Sequence, residues 1–321
     1  MDSTPAARLS RALDSLEGLS VGDAFGEGFF MSFELAVSLM ESGEFGKPPF
    51  DFENDEALQA LIETRRTEFI ARPWRWTDDT ALAMEIVANL REFDSIEPES
   101  LAKSFSRRYS KDPVRGYGGA MHSLLPALRF GEWNKFAPTL FGGSGSFGNG
   151  AAMRAAPLGA YFADDPDRCA REAALSSQIT HSHAEGIAGG VAVAMAACFA
   201  ARRRADDDDG DILKPVLPYV APGRVRDALE RAHTLEFASP IEAAKDLGSG
   251  DEVAAHDTVA FCLWCAARNL DDFEEAMWET VSGLGDRDTT CAIVGGIVAA
   301  RVGSEGIPAQ WRQNREALGD F

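Results

Sequence analysis

Basic clusters, long uninterrupted apolar runs, β-branched alternation and low-complexity segments are all missing from this 321-residue chain. Each absence removes a class of function. The chain has 31 Lys and Arg against 51 Asp and Glu, a formal net charge of -20. Its one basic run, Arg202-Arg203-Arg204, is answered at once by Asp206 to Asp209. Such a field repels nucleic acid and anionic lipid surfaces, so neither is expected as a partner. No apolar stretch reads as long enough to cross a bilayer, and residues 1–10 lack the apolar core of an export signal. A cytoplasmic location is the expectation. Cysteine is scarce: Cys169, Cys198, Cys262, Cys265 and Cys291 are five, an odd number, scattered through apolar stretches as buried free thiols would be. Cys262 and Cys265 form a C-x-x-C, the spacing of zinc or redox sites. No second pair follows, and the spacing falls inside an apolar helical stretch, which favours a core position.

What the chain does have is helical spacing in alanine-rich segments. The pattern predicts helices over 6–19, 79–92, 99–109, 151–162, 168–178, 184–203, 224–233, 256–268, 273–282 and 289–301. The fold class expected is all-α, one compact orthogonal helix assembly over residues 1–321. A chain of this length with 45% hydrophobic residues can bury about three quarters of its unfolded surface. Residues 291–300 carry no charge and 187–201 are almost as apolar, so both helices should lie at the centre. Connections are expected at 43–49, 142–150, 208–218 and 247–251, with 206–210 the clearest surface loop.

Two acidic elements carry the chemistry. Thr77-Asp78-Asp79-Thr80 stands directly before an apolar helix, and Gly285-Asp286-Arg287-Asp288-Thr289-Thr290 repeats the arrangement before the charge-free one. A single Asp or Thr at either place would serve as a helix N-cap. Two carboxylates beside so apolar a segment go beyond that need, because they are poorly solvated unless a cation neutralises them. Asp and Thr oxygens without adjoining His or Cys suit magnesium or manganese rather than zinc, and two such clusters meeting in space could hold two ions. A third acidic element, Gly22-Asp23-Ala24-Phe25-Gly26-Glu27, offers Asp23 and Glu27, with glycines that permit a tight turn or close backbone approach after the first helix.

The stretch Phe141-Gly142-Gly143-Ser144-Gly145-Ser146-Phe147-Gly148-Asn149-Gly150 reads as a glycine loop running into a helix, where free backbone amides can cradle phosphate. Flanking phenylalanines argue against a plain linker, since an adenine ring can stack on them. Arg154 fits an internal salt bridge or an anion contact. In Thr180-His181-Ser182-His183, zinc would want further nitrogen or sulfur ligands, so His181 reads as a hydrogen-bonding residue.

Taken together, G-D-A-F-G from Gly22, W-T-D-D-T from Trp76, S-F-G-N-G-A-A-M-R from Ser146, T-H-S-H from Thr180 and G-D-R-D-T from Gly285 make the sequence similar to the ADP-ribosylglycohydrolase family. The motifs keep their order across most of the chain. The resemblance implies an all-α domain with two magnesium or manganese ions that cleaves the glycosidic bond between ADP-ribose and an acceptor, acting on ADP-ribosylated protein or a small molecule. It implies metal ligands at Thr77, Asp78, Asp79, Asp286, Asp288 and Thr289, with the four aspartates and Glu27 as the catalytic set. Substrate contacts are implied for Phe141, Gly145, Ser146, Phe147, Gly148, Asn149, Met153 and His181, the two phenylalanines flanking the adenine. Some relatives carry a metal-binding Glu where this chain has Phe30, with Glu27 nearer and Glu34 further on, and Glu27 is the expected replacement. A silent ADP-ribose-binding protein and a two-metal phosphoesterase are the competing readings. The segments expected to select the acceptor, 42–54, 111–117 and 204–223, carry no readable code.

Overall fold

The computed structural model describes residues 1–30, 62, 73–203 and 211–321. The expected connection at 43–49, the loop at 206–210 and Glu34 lie outside the described residues. In chain order the helices are α1 (Pro5–Glu27), α2 (Asp78–Phe93), α3 (Pro98–Lys111), α4 (Met121–Ala127), α5 (Ala156–Tyr161), α6 (Pro166–Gln178), α7 (Ala184–Arg202), α8 (Arg224–Thr234), α9 (Pro240–Leu247), α10 (Val259–Arg268), α11 (Phe273–Ser282), α12 (Arg287–Val302) and α13 (Ala309–Asn314). Single turns of helix join several of them. Among the described residues there is no strand, only the isolated bridges Trp74–Arg315 and Gly148–Ala254. The protein is all-α.

Thr4 starts α1, its side chain accepting from the Ala7 amide with Pro5 in the first turn. The helix does not stop near residue 19 as its pattern predicted. It continues to Glu27, and no turn follows the first four turns of helix. Gly18, Gly22 and Gly26 recur every four residues and so share one face. That face lies against α12, which runs antiparallel. A Cβ on Gly18 would come 2.4 Å from the Gly295 carbonyl oxygen, one on Gly22 2.1 Å from that of Cys291, and one on Gly26 2.1 Å from that of Arg287. The two backbones touch with nothing between them.

Helix α12 is the central element, packed on α1, α5, α7, α10 and α11. Residues 291–299 are buried throughout, as their lack of charge predicted. Helix α7 is equally enclosed. By length and composition alone α7 could cross a membrane, which corrects the expectation that no stretch is apolar enough, and 72% of its apolar window is buried inside the protein. Gly159 of α5 meets it so closely that a Cβ there would lie 1.9 Å from the Ala194 carbonyl oxygen. All five cysteines are free and buried, Cys262 and Cys265 within α10.

Three helices were not foreseen: α4, α9 and α13. Each has eight residues or fewer, too short for a periodic pattern to register. The helix expected at 151–162 is shorter than predicted, because residues 149–151 form a 3-10 turn and α5 begins only at Ala156.

Alanine is a better helix former than glycine by roughly 1 kcal/mol, yet Gly22→Ala is expected to destabilise this protein. Its methyl group must separate α1 from α12, an overpacking cost of about 1–3 kcal/mol or more. Urea denaturation checks the sign, and an unchanged or higher midpoint would contradict the contact.

Candidate active site

Between Gly22 and Gly26, the glycine face of α1 carries Asp23 to the first turn of α12 and the start of α2. Asp23 is fully buried. Its carboxylate accepts from the Thr77 amide (3.0 and 2.9 Å), the Thr80 amide (3.1 Å) and the Thr80 hydroxyl (2.5 Å). Helix α2 is thereby capped from another helix. Its own N-cap residue, Thr77, makes no side-chain cap and donates to Asp79 Oδ2 at 2.8 Å. At the second acidic element, Asp286 is likewise an N-cap residue without a side-chain cap, and it accepts from Asn149 Nδ2 at 2.8 Å. Neither element is used as an ordinary helix cap.

The two elements meet. Asp23, Asp79 and Asp288 each offer an oxygen, all within 4.8 Å of one another. Asp78, Asp286 and Thr289 line the same cleft as Asp79 and Asp288. Burial, and then the charge of Asp23, pushes Asp78 up to about 8. Asp79 and Asp288 rise well above the usual carboxylate range, first by burial and then through neighbouring aspartates. Asp23 rises only to about 6, because its four hydrogen bonds oppose the desolvation. Asp79 Oδ1 is buried with no hydrogen-bond partner. An orphaned acceptor among crowded, desolvated carboxylates, all hard oxygen donors, fits a divalent cation.

Glu27, the expected replacement ligand, is the last residue of α1 and lies outside that three-carboxylate group. Phe30 instead faces the guanidinium of Arg287, 4.3 Å from its ring centroid. This contact turns the one cation between Asp286 and Asp288 toward an aromatic ring.

From the acidic end a cavity of about 470 Å³ extends to Phe141 and Phe147, within the usual size for a small-molecule site. Ser146, Gly148, Asn149, Met153 and His181 line it, as the sequence had grouped them. Thr77 and Gly145 are not in its lining. Gly145 packs on the 182–183 turn, where a Cβ would come 2.2 Å from Ser182 Oγ. Phe141 and Phe147 are exposed, 58% and 42%, with ring centroids 6.2 Å apart. Phe141 sits at φ 52, a left-handed backbone unfavourable for an aromatic residue and a common feature of ligand clamps.

The phosphate-cradle expectation changes in one respect. The loop does not enter an α-helix, and the amides of Gly145, Gly148 and Asn149 are already bonded to Leu140 O, Ser146 Oγ and Val253 O. The amides of Ser146 and Phe147 have no such partner among the described residues.

Sequence reasoning named only the start of one wall, since the segment 111–117 expected to select the acceptor stops short of Gly118, Gly119 and Met121. Gly116, Gly118, Gly119 and Met121 line the cleft, and a Cβ on Gly116 would lie 3.3 Å from Asp78 Oδ1. Arg115 anchors this loop through Glu316 (2.7 Å, both oxygens) and over Trp76 at 3.6 Å, while its carbonyl accepts from the Asp78 amide at 2.8 Å. The glycines of Arg115-Gly116-Tyr117-Gly118-Gly119 were the available signal. Val253, at φ 52, and Glu252 also line the cleft, next to Gly148 and Asn149.

The family model for ADP-ribosylglycohydrolase matches residues 4–320. Among curated proteins, the chain is 27% identical to ADP-ribosylhydrolase ARH3 of Homo sapiens, covering 97% of this chain and 90% of that protein. It is 24% identical to the ADP-ribosyl-[dinitrogen reductase] glycohydrolase of Rhodospirillum rubrum, over 94% and 88% of the two. A solved structure described as an ADP-ribosylglycohydrolase-related protein complex shares the fold, with a TM-score of 0.64 and 24% identity over 98% of this chain and 94% of that one. The match runs from α1 to the C-terminal segment and takes in both acidic elements, so the chain belongs to the ADP-ribosylglycohydrolase family, whose members are hydrolases of ADP-ribosylated substrates.

Proposed function

We propose that this glycohydrolase uses two magnesium ions to cleave the bond between the distal ribose of ADP-ribose and an acceptor, an arginine or serine side chain or another ADP-ribosylated molecule. The observation that carries the reading is the polarity of the cleft. Four aspartates and two exposed phenylalanine rings line the same cavity, a cation-binding surface and an aromatic one in a single cleft. Thr77, Asp78 and Asp79 would hold one ion, and Asp286, Asp288 and Thr289 the other. When bound, the ions supply Lewis acidity and neutralise the crowded carboxylates.

The chain's own residues do the rest. Asp23 keeps the Thr77 turn in place through its four hydrogen bonds, and Asn149 orients Asp286. Phe141 and Phe147 hold the adenine, with Ser146 and His181 along the wall beside the diphosphate and ribose. The aspartates favour positive charge developing on the ribose, and one of them accepts the proton of the attacking water. That proton passes to the departing nitrogen or oxygen as the glycosidic bond breaks, so the acceptor leaves as its free side chain and the water oxygen stays on ADP-ribose.

The decisive assay follows ADP-ribose release from arginine-, serine- and small-molecule-linked substrates with magnesium, with manganese and with chelator. Free ADP-ribose is expected with metal only. AMP as the product would move cleavage to the pyrophosphate, and turnover in chelator would remove the ions from the reaction.

Asp288→Asn is expected to lower hydrolysis roughly a hundredfold or more. The same change should raise the thermal stability of the metal-free protein by about 0.5–2 kcal/mol, because it relieves buried like-charge repulsion. Melting in chelator reads the second effect, and a lower Tm there would contradict the charge argument. Phe147→Ala should weaken ADP-ribose binding by about 1–3 kcal/mol, the usual range for loss of a base-stacking ring. Calorimetric titration with ADP-ribose measures it, and unchanged affinity would take the adenine away from this rim.

A further inference from the structure

Arg154 is 1% exposed, and of the two roles its sequence position suggested, an internal salt bridge and an anion contact, the salt bridge is not formed among the described residues. Its guanidinium lies over Phe105, 4.6 Å from the ring centroid. Nη2 donates to Thr180 Oγ1 at 2.8 Å and to the Ser176 carbonyl at 3.4 Å, while Nε and Nη1 have no partner. Thr180 is fully buried, and its Oγ1 lies 2.7 Å from His181 Nδ1.

These contacts fix the direction of the protons. A guanidinium only donates, so Thr180 Oγ1 must accept from Arg154. The hydroxyl has one proton, and His181 Nδ1 is the remaining acceptor within reach. If Nδ1 carried the imidazole proton instead, the buried Thr180 O–H would point at nothing, which folded proteins avoid. A nitrogen that accepts is unprotonated, so in the neutral ring the proton resides on Nε2. Burial, reinforced by the charge of Arg154, holds His181 down to about 3, and the ring stays neutral at physiological pH.

Nε2 faces the cleft wall. A Cβ on Gly148 would stand 3.3 Å from it, and one on Gly150 would come 2.8 Å from Cε1 of the same ring, so a side chain at Gly150 would displace it. Among the described residues Nε2 has no acceptor, and both His181 and Arg154 line the cleft.

We infer that Arg154 and Thr180 are positioning residues that hold His181 as a neutral donor, its proton on Nε2, for an oxygen acceptor of the bound nucleotide. The ligand half of this inference rests on the ADP-ribose reading above; the tautomer does not.

The test uses the full chain with 15N-labelled histidine, as wild type, Thr180→Val and Thr180→Ser. Long-range 1H–15N spectra at pH 7 without ligand report the tautomer, and calorimetry reports the affinity for ADP-ribose. The wild type is expected to show the Nε2–H form. Thr180→Val should mix the tautomers and weaken ADP-ribose binding about tenfold, the loss of one well-placed hydrogen bond, with the effect on hydrolysis appearing in KM. Thr180→Ser should restore both. An Nδ1–H ring in the wild type, or a Thr180→Val protein with wild-type tautomer and affinity, would overturn the inference. An Nε2–H ring in a wild type that fails to bind ADP-ribose would instead overturn the substrate reading and leave the relay standing.

Discussion

The backbone contact between α1 and α12 is the constraint on which the site depends. Side chains normally keep packed helices about 8–10 Å apart, and three glycines on one face remove that spacer. The consequence is local and chemical. Gly26 brings α1 against the Arg287 carbonyl and the Asp288 backbone, and Gly22 brings it against Cys291. Asp23, between those two glycines, then reaches the amides of Thr77 and Thr80 from one helix while standing within ligand distance of Asp79 and Asp288. A single side chain thus couples three elements. Any slackening of α1 on α12 would loosen the start of α2 and both acidic turns together.

The same geometry stores repulsion. Burial and mutual charge raise Asp78, Asp79 and Asp288, and Asp79 Oδ1 has no hydrogen-bond partner. Asp23 differs because its two oxygens already accept four hydrogen bonds. That contrast separates brace from ligand more clearly than proximity does. Three of the four contacts fall on Asp23 Oδ2, which is committed to the brace, while Oδ1 shares only the Thr77 amide and Asp79 Oδ1 is wholly free for a cation. Crowded acids of this kind are tolerable only in a fold stable enough elsewhere, and the almost wholly buried α7 and α12 supply that stability.

Much of this was legible in the sequence, and the failures are instructive. The absence of charge over 291–300 placed α12 at the centre, and the doubled acids at Thr77 and Asp286 located the site. Glycine misled at three places. Gly22 and Gly26 looked like the end of α1, because helix propensity cannot show that a distant backbone will occupy the vacant side. The loop before residue 151 looked like a helix entrance, but its Asn149 amide bonds across to Val253. The Gly116 to Gly119 wall carried no hydrophobic period to reveal it. Arg154 was read as an internal salt bridge or an anion contact; the salt bridge does not form among the described residues, and the guanidinium lies over Phe105 and donates to a threonine. Contacts between residues far apart in the chain decided each of these, and no local pattern records them.

The charge balance of the cleft explains why its parts need one another. A diphosphate is an anion, and it would enter a cavity lined by four aspartates in a protein of net charge -20. Among the described lining residues Arg154 is the one Lys or Arg, and it is buried over Phe105 with its proton donors turned partly into the protein. His181 is neutral. A wall that would stand beside the diphosphate therefore offers hydrogen bonds but little positive charge, and Coulomb repulsion from the acidic end would have to be removed by something other than the described part of the chain. Cations at the aspartates would do this while creating the reactive end of the site. Nucleotide affinity and metal loading should then be linked, each favouring the other through the same few ångströms of cleft.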